Sequence, residues 1–153
     1  MPQFSTSRRV NHPAADMFDL VADVERYPDF VPLCQALKVR QRKQNGDGTE
    51  TVVCDMTVAY KFIEETFVSR VTLDRPNLHV LVEYLQGPFS RLENRWTFHP
   101  TGARSCTVEF FIGYEFRSRA LGLVMGSMFD VAFRRFAAAF ERRADRVYAQ
   151  KIA

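Results

Sequence analysis

Residues 106–116 read CTVEFFIGYEF. Every second residue, from Cys106 through Val108, Phe110, Ile112 and Tyr114 to Phe116, is apolar, which is the two-residue period of a strand with one buried face. So apolar a face needs a cover. It follows at once in the sequence: over 118–148, Leu121, Val124, Met125, Met128, Phe129, Ala132, Phe136, Ala139, Phe140 and Val147 recur at the three- and four-residue steps of one helix face. A sheet carrying a long C-terminal helix is expected.

Upstream, PAADMFDLVADV at 13–24 places Met17, Phe18, Leu20, Val21 and Val24 at helical spacing, with Pro13 suited to a first-turn position. Pro28 and Pro32 forbid its simple continuation, so Glu25 to Val31 is expected as a second short turn of helix or a bent loop. NGDG at 45–48, DRPN at 74–77, QGP at 86–88 and HPTGA at 99–103 are turn signals. They delimit strands near 35–44, 49–60, 62–73, 78–85, 90–98 and 104–115, and QFSTSRRV adds a seventh at the start. One strand, two short helices, a run of meandering strands and one long helix make an α+β chain with its helices on one face of an antiparallel sheet. At 153 residues it is expected to form a single domain, 1–153.

Composition narrows the function classes. With 46% hydrophobic and 25% charged residues the chain is of ordinary globular type, and fourteen phenylalanines weight its apolar part toward aromatics. A net charge of +3 is too small to announce a nucleic-acid binder. MPQFSTSRRV lacks the apolar run of a secretory leader, and no window reaches a membrane span, so an intracellular protein, at most peripherally attached to a membrane, is expected. Cys34, Cys54 and Cys106 are odd in number and far apart, which reads as reduced core thiols.

The search for catalytic groups is thin. His12, His79 and His99 are scattered, and Glu64 and Glu65 point to opposite sides of a strand, so they cannot flank one substrate atom. Cys54 has no histidine within its strand or turn. Gly122 and Gly126 in the long helix each cost about 1 kcal/mol against alanine, either to allow close packing, or to widen the cavity or loosen the helix start as a gate. Two basic clusters stand out, Lys38, Arg40 and Arg42 on one strand face and Arg117, Arg119, Arg134, Arg135, Arg142, Arg143 and Arg146 along the final helix. They are edge protection and a solvated helix back, or docking sites for anionic lipid or ribosomal RNA.

YPDFVPLC at 27–34, GPFSRLENRWTFHP at 87–100 and VEFFIGYEFRSRALGLVMG at 108–126 resemble the coenzyme Q-binding family of the START-like superfamily, whose helix-grip folds carry lipids, polyketides and other apolar molecules. Leu33 stands where many of those relatives carry tryptophan. The resemblance implies a helix-grip fold and a cavity that takes ubiquinone or a related polyprenylated quinone as bound ligand, with no other cofactor and no metal. It implies a non-enzymatic carrier or chaperone supporting respiration or quinone biosynthesis, monomeric, cytoplasmic, and at most peripheral on the inner face of the inner membrane. Bacterial relatives that are ribosome-associated toxins supply the rival, a regulator that binds the large subunit through basic surfaces. Polyketide cyclases and dehydratases supply a third, which needs an acid or base in the cavity. Within such a grip, strand and helix phase place Val52, Cys54, Met56, Val58, Asn94, Trp96, Val108, Phe110, Ile112, Tyr114, Met125 and Phe129 on the lining. Tyr27, Phe30 and Val31 would form the mouth. Asn94 is either a hydrogen-bond donor to a quinone carbonyl or a satisfied core amide.

Overall fold

The computed structural model describes residues 3–60 and 63–148. Along the chain run β1 (Gln3–Val10), α1 (Ala14–Ala22), a short 3-10 helix (Val24–Asp29), β2 (Cys34–Gln44), β3 (Thr49–Tyr60), β4 (Ile63–Asp74), β5 (His79–Gln86), β6 (Phe89–Gly102), β7 (Ser105–Phe116) and α2 (Arg119–Tyr148). The expected start of β4 at 62 lies outside the described residues. All seven strands pair antiparallel in the order β1-β7-β6-β5-β4-β3-β2, and the helices lie on one face. This is the α+β helix-grip arrangement.

Turn chemistry fixes the meander. Gly46 and Gly48 take φ of 51° and 92° in the NGDG turn. At Gly87, φ is 147° and an added Cβ would come within 2.6 Å of Phe67 Cβ, so only glycine lets the β5–β6 turn fold over that ring. Single-residue register slips between Cys34 and Ala36, Val39 and Gln41, Val68 and Ser69, Phe89 and Arg91, and Pro100 and Gly102 bend the strands into a curved sheet.

α2 approaches β7 and β1 most closely and packs Met125, Phe129, Phe133 and Phe140 inward. Val124 and Val147, expected on its covering face, are 62% and 37% exposed. The interior stripe runs through Phe133 and Ala137; Val124 is turned about 100° away from Met125, whereas Val147 keeps the phase of Phe129 and Phe140 but lies in the last turn of α2.

After α1 the chain bends sharply. The Tyr27 carbonyl accepts from Phe30 N and Val31 N, at 3.1 and 2.8 Å, and closes the turn around Pro28. Leu33 leaves it with φ of 66°, a left-handed conformation that costs a non-glycine residue about 1 kcal/mol or more. Its carbonyl accepts from Ala59 N at 3.0 Å, which ties the corner to the end of β3.

Candidate functional site

Where the curved sheet parts from α2, the two enclose a cavity of about 60 Å3. Its walls come from the corner after α1, from β2 to β7 and from the middle of α2. Of the side chains assigned to it from sequence, Tyr27, Cys54, Met56, Val58, Asn94, Trp96, Ile112 and Phe129 line it. Phe67, Ser69 and Val71 of β4, Leu33, Leu37 and Val82, and Phe133, Phe136 and Phe140 of α2 complete most of the wall and were missed. The alternation of Phe67, Val71 and Leu73 was the available signal for β4.

Seven expected side chains are not on that wall: Phe30, Val31, Val52, Val108, Phe110, Tyr114 and Met125. Six of these are buried core, and Phe30 is half-buried. The reason is distance rather than direction. Phe110 is covered by its cross-strand neighbour Trp96 at 4.8 Å and by Phe136 of α2 at 6.2 Å, and Tyr114 by Phe133 of α2 at 5.0 Å between ring centroids, so other rings rather than a void meet them. Phe30 stands behind the wall, edge-on to Phe140 at 4.9 Å and to Tyr27 at 6.1 Å, with the Arg143 guanidinium 5.2 Å from its ring centre. It braces the corner instead of forming a mouth.

Most polar atoms on the wall are spoken for. Tyr27 donates its hydroxyl to the Val21 carbonyl at 2.5 Å. Trp96 Nε1 donates to Asn94 Oδ1 at 3.0 Å, and Asn94 Nδ2 donates to the Phe111 carbonyl at 2.8 Å. Asn94 thus clamps the indole to β7. Burial pushes the Cys54 thiol up to about 11, with the neighbouring Asp55 charge adding to it. Ser69, 4% exposed, has no hydrogen-bond partner for its Oγ among the described residues. Among the described residues the wall contains no Asp, Glu, His, Lys or Arg, so these offer hydrogen bonds and apolar surface but no group that exchanges protons near neutrality.

The basic clusters separate. Arg40 pairs with Asp55 at 2.7 Å, and Arg42 bridges Glu25 and Glu50 at 2.9 and 3.4 Å, so the β2 cluster is largely neutralised on an edge strand. On α2, Arg134 pairs with Asp130 and Arg143 reaches Asp29 at 3.9 Å, whereas Arg119, Arg135, Arg142 and Arg146 are exposed and have no ion pair among the described residues. The same outward side carries Leu123, 87% exposed, with Val124 and Val131. Its first half is apolar and its second half cationic.

The family profile for polyketide cyclase/dehydrase and lipid transport proteins matches residues 10–141. The chain belongs to that family. It is 32% identical to the ribosome association toxin RatA of Escherichia coli K12 over 99% of this chain and 92% of that protein. It is 29% identical to the mitochondrial coenzyme Q-binding protein COQ10 homolog B of Xenopus laevis, over 97% of this chain and 60% of that protein. Among solved structures it resembles the 18 kDa protein CC1736 of Caulobacter crescentus, with a TM-score of 0.77 and 32% identity over 97% of this chain and 99% of that one. A START superfamily protein of Mycobacterium smegmatis superposes with the same TM-score of 0.77 at 19% identity, over 95% and 98% of the two chains. The superpositions show a START-like fold. Among the described residues, no helix is long and apolar enough to cross a membrane.

Proposed function

We propose that the chain is one ligand-binding domain, monomeric and cytoplasmic, that takes ubiquinone or a related neutral polyprenylated lipid between the sheet and α2. It acts as a carrier or chaperone supporting respiration or quinone biosynthesis and does no chemistry on its cargo. The observation that carries this is the cavity wall, whose described residues are mostly aromatic and aliphatic with no ionisable acid or base that works near neutral pH. Membership of a family described by lipid transport supports it, as does a relative named for coenzyme Q binding.

The cavity is small as it stands. About four to six water-sized positions fill 60 Å3, so a tail enters only as the walls move apart. Each methylene that then leaves water contributes about 0.8 kcal/mol, more than enough over a few isoprene units to drive the opening. Leu123, Val124 and Val131, flanked by Arg119 and Arg135, are the contact with an anionic bilayer from which the lipid is drawn.

The test is delivery of short- and medium-tailed quinones from vesicles, read by Trp96, the sole tryptophan, on the cavity wall. Saturable quenching is expected, tighter with longer tails until it levels, and faster from anionic than from neutral vesicles at low salt. Leu123→Asp should slow transfer without weakening binding from detergent. No saturable quenching with any tail would overturn the cargo assignment, and equal rates from both vesicles would remove the membrane contact.

One observation favours a second reading. The unpaired α2 arginines form a cationic surface, and relatives at 32% identity are named for ribosome association. Binding to large ribosomal subunits that falls steeply with salt, and is lost in an Arg135→Glu, Arg142→Glu, Arg146→Glu variant, would favour it.

A further inference from the structure

We infer that Ser69 is the hydrogen-bonding anchor of the cavity, and that the cargo is a neutral molecule presenting a carbonyl or hydroxyl oxygen at the end of an apolar body. The inference rests on the cavity-binding reading above and specifies what the cavity holds. Ser69 points into the cavity from β4 between Phe67 and Val71, opposite Cys54 of β3. A buried hydroxyl left unpaired is unfavourable, and alanine would stand in its place without that penalty. What serine adds here is an oxygen that donates to a carbonyl and accepts from a hydroxyl.

Its neighbours do not compete for the role. The tyrosine, tryptophan and asparagine on the wall already bond to protein atoms, and a thiol is a weak donor. The register between β4 and β5 slips beside Ser69, leaving Leu85 as the extra residue, so the sheet bends there. Neutrality follows from the wall. A carboxylate head, as in a fatty acid, would bury an unpaired charge where the described lining residues supply no cation.

Three probes with the same decyl tail test this: a benzoquinone, the alkylbenzene without oxygens and a fatty acid. The quinone is read by Trp96 quenching and the others by competition with it. The preference for quinone over alkylbenzene should fall about threefold to tenfold in Ser69→Ala, while the melting temperature holds or rises because the unpaired hydroxyl is gone. Ser69→Cys, of similar size with a much weaker hydrogen bond, should show the same loss and serves if the alanine variant does not fold. An unchanged preference in the variants overturns the anchor but leaves cavity binding intact. A fatty acid that matches the quinone on the native protein overturns neutrality. If neither quinone nor alkylbenzene binds the native protein, the cavity reading fails and takes this inference with it.

Discussion

The two halves of α2 are held in different ways. From Phe136 onward the helix is fastened to the rest of the molecule: Glu141 pairs with Arg8 at 2.5 Å, Asp145 with His12 at 2.6 Å, Arg143 with Asp29, and Tyr148 donates to the Asp16 carbonyl at 2.9 Å. Phe140 sits in a ring cluster with Tyr27, Phe30 and Trp96. From Arg119 to Asp130, no ion pair among the described residues joins the helix to the sheet, and packing of Met125 and Phe129 is the main hold. This half also contains Gly122 and Gly126. An added Cβ at Gly126 would meet nothing within 4 Å, and one at Gly122 only an ordinary contact with Phe116 at 3.7 Å, so neither glycine is there for close packing. Neither lines the cavity, so they do not widen it either, which leaves a loosened helix start. Local opening is cheapest where few ties must break, so under the proposed function the first half of α2 is the part that would lift to admit a lipid.

The largest expected effect tests the fastened half. Phe140→Ala should lose about 3–5 kcal/mol, a drop of roughly 10 °C in melting temperature. A loss below about 1 kcal/mol would erase the contrast between the halves.

Alkaline pH should act on the same end with a smaller, graded effect. Cys34 follows the corner and Cys106 pairs with Val10 beside the His12 tie; burial pushes both thiols from 9.0 up to about 11. The unfolded chain releases these protons near pH 9 and the folded chain near 11. In that window the unfolded state binds fewer protons, so stability is intact below 9 and falls as pH rises toward 11. Urea midpoints at pH 7, 8.5, 9.5 and 10.5 measure this. Midpoints that stay level through 10.5 would contradict it.

The smallest effect sharpens the comparison from the loose half. Gly126→Ala should stabilise the protein by up to about 1 kcal/mol, because helix propensity improves and nothing clashes. Stopped-flow quenching should then show slower quinone entry. Faster or unchanged entry with the added stability would move the gate elsewhere.

Much of the fold is written in short-range pattern. The β7 alternation, the helix repeat and the glycine- and proline-rich turns place every element within a few residues, because side-chain period and turn chemistry are local. The cavity is not local. Phase says that Phe110 and Tyr114 face inward, but whether an inward side chain meets a void or another ring depends on how far the helix stands from that strand. That distance is set by sheet curvature, and the register slips that bend the sheet carry no clear sequence mark. Ser69 shows the same limit: a serine among Phe67, Val71 and Leu73 reads as an interruption of an apolar face until it is found on the cavity lining with its hydroxyl unpaired.

The slips in β2 bear on how the molecule behaves in company. The sheet is not a closed barrel, and β2 offers an open edge to which another chain could add. Residues Gln35 and Arg40 are the extra ones at its two slips, so its regular pairing is cut into Ala36–Val39 and Gln41–Gln44, four residues each. Fibril-forming segments need an uninterrupted six or seven. A neighbouring strand docking there would lose its ladder after four residues and meet Lys38 and Lys43 on the way, so the exposed edge is a poor template for amyloid-like growth.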